Sequence, residues 1–179
     1  VGDWVALRAE EPTPPSTADD RPRPSTDTRA RASIVAVVAR RTAFSRKAAG
    51  QTTETQVVAA NVDTVFLVSG LDLDFNVRRI ERAVLLARES GAEPVIILSK
   101  VDLCPEADAR AAETAKVAPN VSILKVSNTL GTGVEALDPW LLPGKTVVLI
   151  GSSGVGKSTL VNRLLGEERQ SVRTVREHD

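Results

Sequence analysis

At 179 residues the chain can hold one α/β domain, or one and a fraction, and 23 basic against 23 acidic side chains leave no net charge to argue for or against nucleic acid. One cysteine, Cys104, and one histidine, His178, exclude an intrachain disulfide and leave too few ligands for protein-bound zinc within these residues. No apolar run is long enough to span a bilayer and no secretory pattern opens the chain, so the cytoplasm is the expected compartment; the absence of methionine points to a longer parent or a processed start.

Val1 to Leu7 reads as a strand with Gly2-Asp3 as its turn-like start. Residues 10–32 are expected to be a long mobile loop. Glu10 to Arg31 carries five of the ten prolines and almost no large apolar side chain, so it cannot bury enough surface to offset ordering. Ser33 to Ala39 is the next strand. The basic residues after it, Arg40, Arg41, Arg46 and Lys47, read either as a solvated hairpin end or as a phosphate-contacting patch. Val57 to Ala60 and Thr64 to Val68 read together as a strand entering a core covered on both faces. Asp74 is the expected N-cap of a helix from Phe75 to Glu89, with Val77, Ile80, Val84 and Ala87 on one face and Gly91 as its stop. Pro94 to Leu98 is a buried strand. Pro105 is expected in the first turn of a second helix, with Glu106 and Asp108 at its positive end. Val121 to Val126 is a strand, Gly131 to Leu137 a turn and short helix, and Lys145 to Ile150 a further strand.

Strands alternating with helices predict an α/β fold with a doubly wound, mostly parallel sheet. In such a sheet ligands bind at the carboxyl ends of the strands, which singles out Ser99–Leu103, Ser127–Gly133 and the loop after Ile150. That last loop, Gly151 to Ser158, matches the phosphate-binding pattern G-x-x-x-x-G-K-[ST] without mismatch, between a strand and a helix. Gly151, Gly154 and Gly156 let the backbone wrap an anion closely, so that N–H groups from Ser152, Ser153, Val155 and the helix start, through Thr159, point inward. Lys157 is expected at the β- and γ-phosphates as the catalytic cation, and the Ser158 hydroxyl at a Mg²⁺ ion. The plain alternative is a Gly/Ser-rich turn before an ordinary helix.

The other two loops suit a purine base. In Ser99-Lys100-Val101-Asp102-Leu103 a rigidly held Asp102 carboxylate can accept two hydrogen bonds from the guanine edge, which adenine cannot donate. The Lys100 stem can lie over the ring. Ser127-Asn128-Thr129 can offer backbone N–H groups to the guanine oxygen. Taken singly, each is also an ordinary loop; following buried strands and accompanied by a phosphate loop, they support one another.

Ser99 to Asp102 resembles the NKxD base motif of small GTPases, and Ser127 to Thr129 resembles their SAK-type loop. In ordinary GTPases the phosphate loop precedes both, whereas here it follows them. That order is similar to the circularly permuted GTPases of the RsgA family, which assist maturation of the small ribosomal subunit. Val1 to Val5, Arg40-Arg41, Gln56 to Val68, Asp74-Phe75-Asn76 and Gly151 to Asn162 fit the same family. The resemblance implies a partial OB-fold β domain at 1–57 and a permuted GTPase domain at 58–179. It also implies switch regions and a C-terminal zinc domain beyond this chain, the only place zinc is expected. It implies GTP or GDP held with Mg²⁺, ribosome-stimulated hydrolysis, and the small (30S) ribosomal subunit and its RNA as partners of a monomer that uses no membrane. Departures from the family stand beside it. Ser99 occupies a position where the family has Asn or Thr, and its shorter side chain is expected to tie the base loop to the phosphate loop less firmly. His178 lies outside the family's histidine pattern and reads as a tail residue; no water-orienting group is identified. The alternatives are an ATP-using P-loop enzyme and an RNA-binding module with a vestigial nucleotide site.

Overall fold

A computed structural model describes residues 2–9, 32–47 and 55–166. They form strands β1 (Val5–Ala9), β2 (Ala32–Val37), β3 (Ala43–Lys47), β4 (Thr55–Ala60), β5 (Thr64–Gly70), β6 (Glu93–Ser99), β7 (Ser122–Val126) and β8 (Val147–Ile150), and helices α1 (Val77–Glu89), α2 (Ala107–Val117) and α3 (Lys157–Leu165). The chain divides into two compact units, Asp3–Arg40 and everything else.

In the smaller unit β1 and β2 pair antiparallel from Val5↔Val37 to Ala9↔Ala32, with an irregularity between Ala6 and Leu7. A two-pronged ion pair from Arg40 to Asp3, at 2.6 and 3.0 Å, closes one end. Leu7, Ile34, Val35 and Val37 are exposed, and since Ile34 and Val35 face opposite sides, neither face of the ribbon is buried. The predicted loop 10–32 lies outside the described residues except for Ala32, which opens β2. A partial barrel is not seen as one sheet: β1–β2 and β3–β4 are separate antiparallel pairs. Arg46 and Lys47, read as part of a basic cluster, belong to β3, a strand absent from the sequence reading.

The larger unit is built on a four-stranded parallel sheet ordered β7-β6-β5-β8. The chain segments read as one strand from Val57 to Val68 are two, in different sheets. The break is Asn61, buried in a left-handed conformation (φ 54°) that its short amide tolerates. That amide accepts from Arg41 N at 2.9 Å and donates to Gly2 O at 2.8 Å, so the turn is bonded on both sides. Two residues on, Asp63 aligns the strand starts. Its carboxylate accepts from Thr146 N, its carbonyl from Glu93 N and its own N–H donates to Thr146 O, each at 2.9 Å.

Alternation along the sheet sorts the core into two layers. Val65, Leu67, Ile96 and Leu98 pack with Ile80, Val84 and Ala87 of α1 on one side. Phe66, Val68, Val95 and Ile97 pack with Leu137, Val155 and Leu160 on the other. Burying each such side chain contributes about 1.5–3 kcal/mol, and both faces are covered, which is why β5 and β6 read as unbroken apolar runs. Trp140, in a 3-10 turn at Glu135–Trp140, meets Phe66 edge-on at 6.4 Å between centroids and donates to Glu93 through its indole N–H.

Helix starts differ from the sequence reading in position. Asn76, not Asp74, caps α1, accepting Arg79 N at 3.1 Å on its side chain. Pro105 precedes the α2 cap, Glu106, instead of sitting in the first turn. The helix expected after the phosphate loop, α3, begins at Lys157.

Candidate nucleotide-binding site

The strand order places β5 at a switch point: the chain runs outward through β6 and β7, then returns to the opposite side of β5 as β8. Loops leaving the carboxyl ends of these strands therefore meet at one edge of the sheet. The phosphate loop leaves β8 there. A Cβ on Gly151 would lie 2.2 Å from Val68 O, so only glycine lets the loop begin against β5. Val155 is buried in the second core layer and anchors the loop's middle, while Gly156 (φ 92°) is the N-cap from which α3 departs. Ser153 and Gly154 are exposed at the tip; Ser158 and Thr159 are half-buried in the first turn of α3. Lys157 folds back over the loop, its Nζ donating to Gly151 O at 2.9 Å and to Ser152 O at 2.6 Å. Burial holds its pKa below the usual 10.5 of a lysine.

Both loops that resemble base-reading motifs, Ser99–Leu103 and Ser127–Thr129, are fastened to this loop. Ser99 is fully buried, and its hydroxyl donates to Val155 O at 2.7 Å, with Ser69 O at 3.3 Å. The tie expected to be loose is thus a short, buried hydrogen bond. Asn128 Nδ2 donates to the next carbonyl, Gly156 O, at 2.9 Å. The loop carrying Asn128 is closed on itself, with Gly131 N donating to Ser127 O at 2.8 Å and Leu130 N to Ser127 Oγ at 3.0 Å. Arg163 of α3 reaches Thr129 O from the other side at 3.4 Å. Lys100 adopts a left-handed conformation (φ 61°), and its ammonium pairs with Asp72 Oδ2 at 2.6 Å. Asp102 and Leu103 follow in an exposed 3-10 turn, the Asp102 carboxylate unengaged by the described residues.

The structure adds three side chains from the β5–α1 loop and α1. Asp72 holds Lys100, Asp74 holds Arg79 at 2.5 Å, and Arg79 donates to Ser152 Oγ at 2.5 Å. The Arg79 guanidinium and the Ser152 hydroxyl keep the Asp74 carboxyl below its usual pKa. A cavity of about 360 Å³ opens among Asp74, Arg79, Ile80, Ile150, Ser152 and Val155. The rule that singles out three loops at the strand ends applies equally to the loop after β5, so the signal was there. Among the described residues no group of three or more His, Cys, Asp and Glu side chains is arranged to hold a metal, and no helix is long and apolar enough to cross a membrane.

A parallel sheet with a phosphate loop at its switch point, entered after the two base loops, defines a circularly permuted P-loop GTPase fold. Two solved structures share it. YjeQ from Thermotoga maritima matches with a TM-score of 0.63 and 29% identity over 80% of this chain and 48% of that one. YloQ, described as a circularly permuted GTPase, matches with a TM-score of 0.56 and 22% identity over 90% of this chain and 48% of that one, a likeness of fold. The profile of the RsgA GTPase family matches residues 37–179. Small ribosomal subunit biogenesis GTPase RsgA of Opitutus terrae is 51% identical over 95% of this chain and 44% of that protein. Its namesake in Xylella fastidiosa strain 9a5c is 50% identical over 100% of this chain and 46% of that protein. The chain belongs to the RsgA GTPase family, and it spans somewhat under half the length of these relatives.

Proposed function

We propose that this chain is the guanine-nucleotide-binding part of a GTP-hydrolysing protein that assists late maturation of the small ribosomal subunit. The observation that carries the reading is the fastening of both base loops to consecutive phosphate-loop carbonyls, Ser99 to Val155 O and Asn128 to Gly156 O. A nucleotide seated there meets base reader and phosphate cradle as one pre-set surface. In this reading Asp102 accepts from the guanine edge, the Lys100 stem covers the ring, and the backbone of Ser127 to Thr129 donates to the guanine oxygen. The N–H groups from Ser152 to Thr159 hold the phosphates.

The donor set fits a magnesium nucleotide. Gly151 supplies a cradle that a Cβ would fill, Ser158 supplies a hydroxyl at the start of α3, and Lys157 is a partly desolvated cation beside it. Mg²⁺ in such a site neutralises phosphate charge. Lys157 has first to exchange the Gly151 and Ser152 carbonyls for phosphate oxygens, an exchange of neutral acceptors for charged ones. Its contribution is then electrostatic stabilisation of charge on the transferring group.

Names of the relatives support the ribosomal setting, with the small subunit and its RNA as partners and the cytoplasm as the compartment. The division into an OB-type domain at 1–57 and a GTPase domain at 58–179 belongs to the same proposal, as do a monomeric state and zinc in a further domain of the whole protein. The compact units divide at 40/41 instead, and β4 crosses the 57/58 boundary.

Equilibrium binding of fluorescent GDP with Mg²⁺ tests the reading. GTP and GDP displace it and ATP does not; Lys157→Ala weakens it by at least about a hundredfold, the loss of a charge-assisted contact in a desolvated site. Preference for ATP would remove the role given to Asp102, and an unchanged affinity in the Lys157 variant would remove the assignment. In the full-length protein, phosphate release should rise on adding small ribosomal subunits; no release with or without them would favour a vestigial site.

A further inference from the structure

We infer that the Asn128 side chain is a positioning residue that fixes the spacing between the base-reading loop and the phosphate loop, so that a guanine nucleotide is gripped by both at once. The inference rests on the nucleotide site proposed above, in which position 128 serves only through its backbone.

The bond from Asn128 Nδ2 to Gly156 O is surplus to the fold. That carbonyl already accepts Leu160 N at 2.9 Å, the first hydrogen bond of α3, so the helix has no unmet acceptor for Asn128 to satisfy. The other end of the same amide is a liability. Asn128 Oδ1 is buried and has no hydrogen-bond partner among the described residues. Leaving a buried acceptor unpaired costs more than one neutral hydrogen bond returns. Turning the amide over gives no relief, because Oδ1 would then oppose Gly156 O, acceptor against acceptor. For stability alone, leucine, with the same branching and nothing to leave unpaired, would serve this position at least as well. What the amide does supply is spacing.

Three features make that spacing specific. Gly156 stands at positive φ, and a Cβ there would lie 2.6 Å from Asn128 Nδ2, so the close approach depends on the glycine of the phosphate loop itself. The loop that carries Asn128 is closed by its own hydrogen bonds to Ser127, so a pull on the side chain moves the backbone N–H groups with it. Arg163 grips Thr129 O from α3, giving the loop a second attachment to the same helix. Ser99 does the equivalent for the other base loop at Val155. A ligand spanning base and phosphates benefits from this fixed separation. A ligand touching the phosphates alone does not.

The test uses the whole chain with Asn128→Leu, and Asn128→Ala as a second variant. Fluorescent GDP with Mg²⁺ reports the spanning ligand, inorganic pyrophosphate as competitor reports the phosphate site alone, and thermal denaturation without nucleotide reports stability. GDP binding should weaken on the order of tenfold in both variants, while the pyrophosphate inhibition constant stays within about twofold. The thermal midpoint of Asn128→Leu should not fall. GDP affinity unchanged in both variants would overturn the inference. So would equal weakening of GDP and pyrophosphate, or a lowered Asn128→Leu midpoint, since either makes Asn128 a packing residue. Failure of the unsubstituted chain to bind GDP would overturn the nucleotide reading itself, and this inference with it.

Discussion

Lys100 stands at a left-handed backbone position, which a lysine occupies only when its surroundings fix it there. Asp72 is part of what fixes it. Burial pushes the Asp72 carboxyl upward, but the Lys100 ammonium and the Asp74 N–H together outweigh burial and hold it below the usual 3.8. The sign of the pH effect follows. Between the depressed folded value and 3.8 the unfolded chain binds the proton that the folded chain refuses, so stability rises with pH across that window. The contribution is complete above it and disappears as pH falls through the folded value. Asp72→Asn should therefore flatten the acid limb of stability, measured by urea unfolding between about pH 5 and about pH 2, and should leave its slope near neutrality unchanged. An acid limb as steep as that of the unsubstituted chain would show that the pair contributes nothing. Local context was legible where it is carried by residue type and spacing, as in the strand, loop and helix around Gly151 to Ser158. It was not legible where a partner is distant in sequence. The tie from Ser99 to the phosphate loop was expected from the resemblance alone, without its partner Val155 O, and nothing in Lys100 names Asp72; both pairs exist because β5, β6 and β8 lie side by side.

Helix α1 joins the core to the phosphate loop, and two residues just ahead of its first turn, Asp74 and Asn76, are able to cap it. Asn76 does so, because the Asp74 carboxylate is already taken by Arg79, the residue that also holds Ser152. The two positions should separate in experiment. Asn76→Ala should cost about 1 kcal/mol of stability, the usual worth of a cap. Asp74→Ala should cost less than about 0.5 kcal/mol, since an exposed ion pair contributes little, while releasing the hold on Ser152 and so weakening GDP binding. Urea unfolding followed by circular dichroism, with GDP titrations on both variants, decides it; the reverse ranking of stabilities would return the cap to Asp74. Helix boundaries slipped by one or two residues here because good capping types sit close together and tertiary partners choose among them. Strand β3 escaped notice for a different reason. Phe44 is its one large apolar side chain, and it buries against the first core layer without producing the alternating pattern that marks a strand. The split between β4 and β5 was hidden because apolar residues continue on both sides of Asn61, and only the left-handed turn there separates the two sheets.

At the scale of the whole molecule, the alternation of β5-α1-β6-α2-β7-β8-α3 was legible because both faces of the parallel sheet are covered, and covered strands read as apolar runs. The order of the loops along the chain was equally plain, and with it the permutation. The N-terminal strands were less so. A ribbon whose apolar residues face out on both sides gives the sequence signature of a core strand without the burial, and Leu7, Ile34 and Val37 remain exposed in this structure. The same contrast predicts how stability is distributed. Strands β5 and β6 each have a bonded neighbour on both sides and lose Val65 to Val68 and Val95 to Leu98 from solvent, so their amides open only when the larger unit unfolds. Among the described residues β1 and β2 pair only with each other, and a two-stranded pair without a covered face is marginal in water. Hydrogen exchange should therefore show the amides of Leu67 and Ile97 protected at least about a thousandfold more than those of Leu7 and Ile34. Low urea should accelerate the first pair with the full slope of global unfolding and leave the second nearly unaffected. Saturating GDP should slow exchange in β5 and β6 further, by the free energy of binding, and leave β1 and β2 as they were. Equal protection in the two sets, or a ribbon that responds to GDP as strongly as the sheet does, would mean that the two compact units unfold as one.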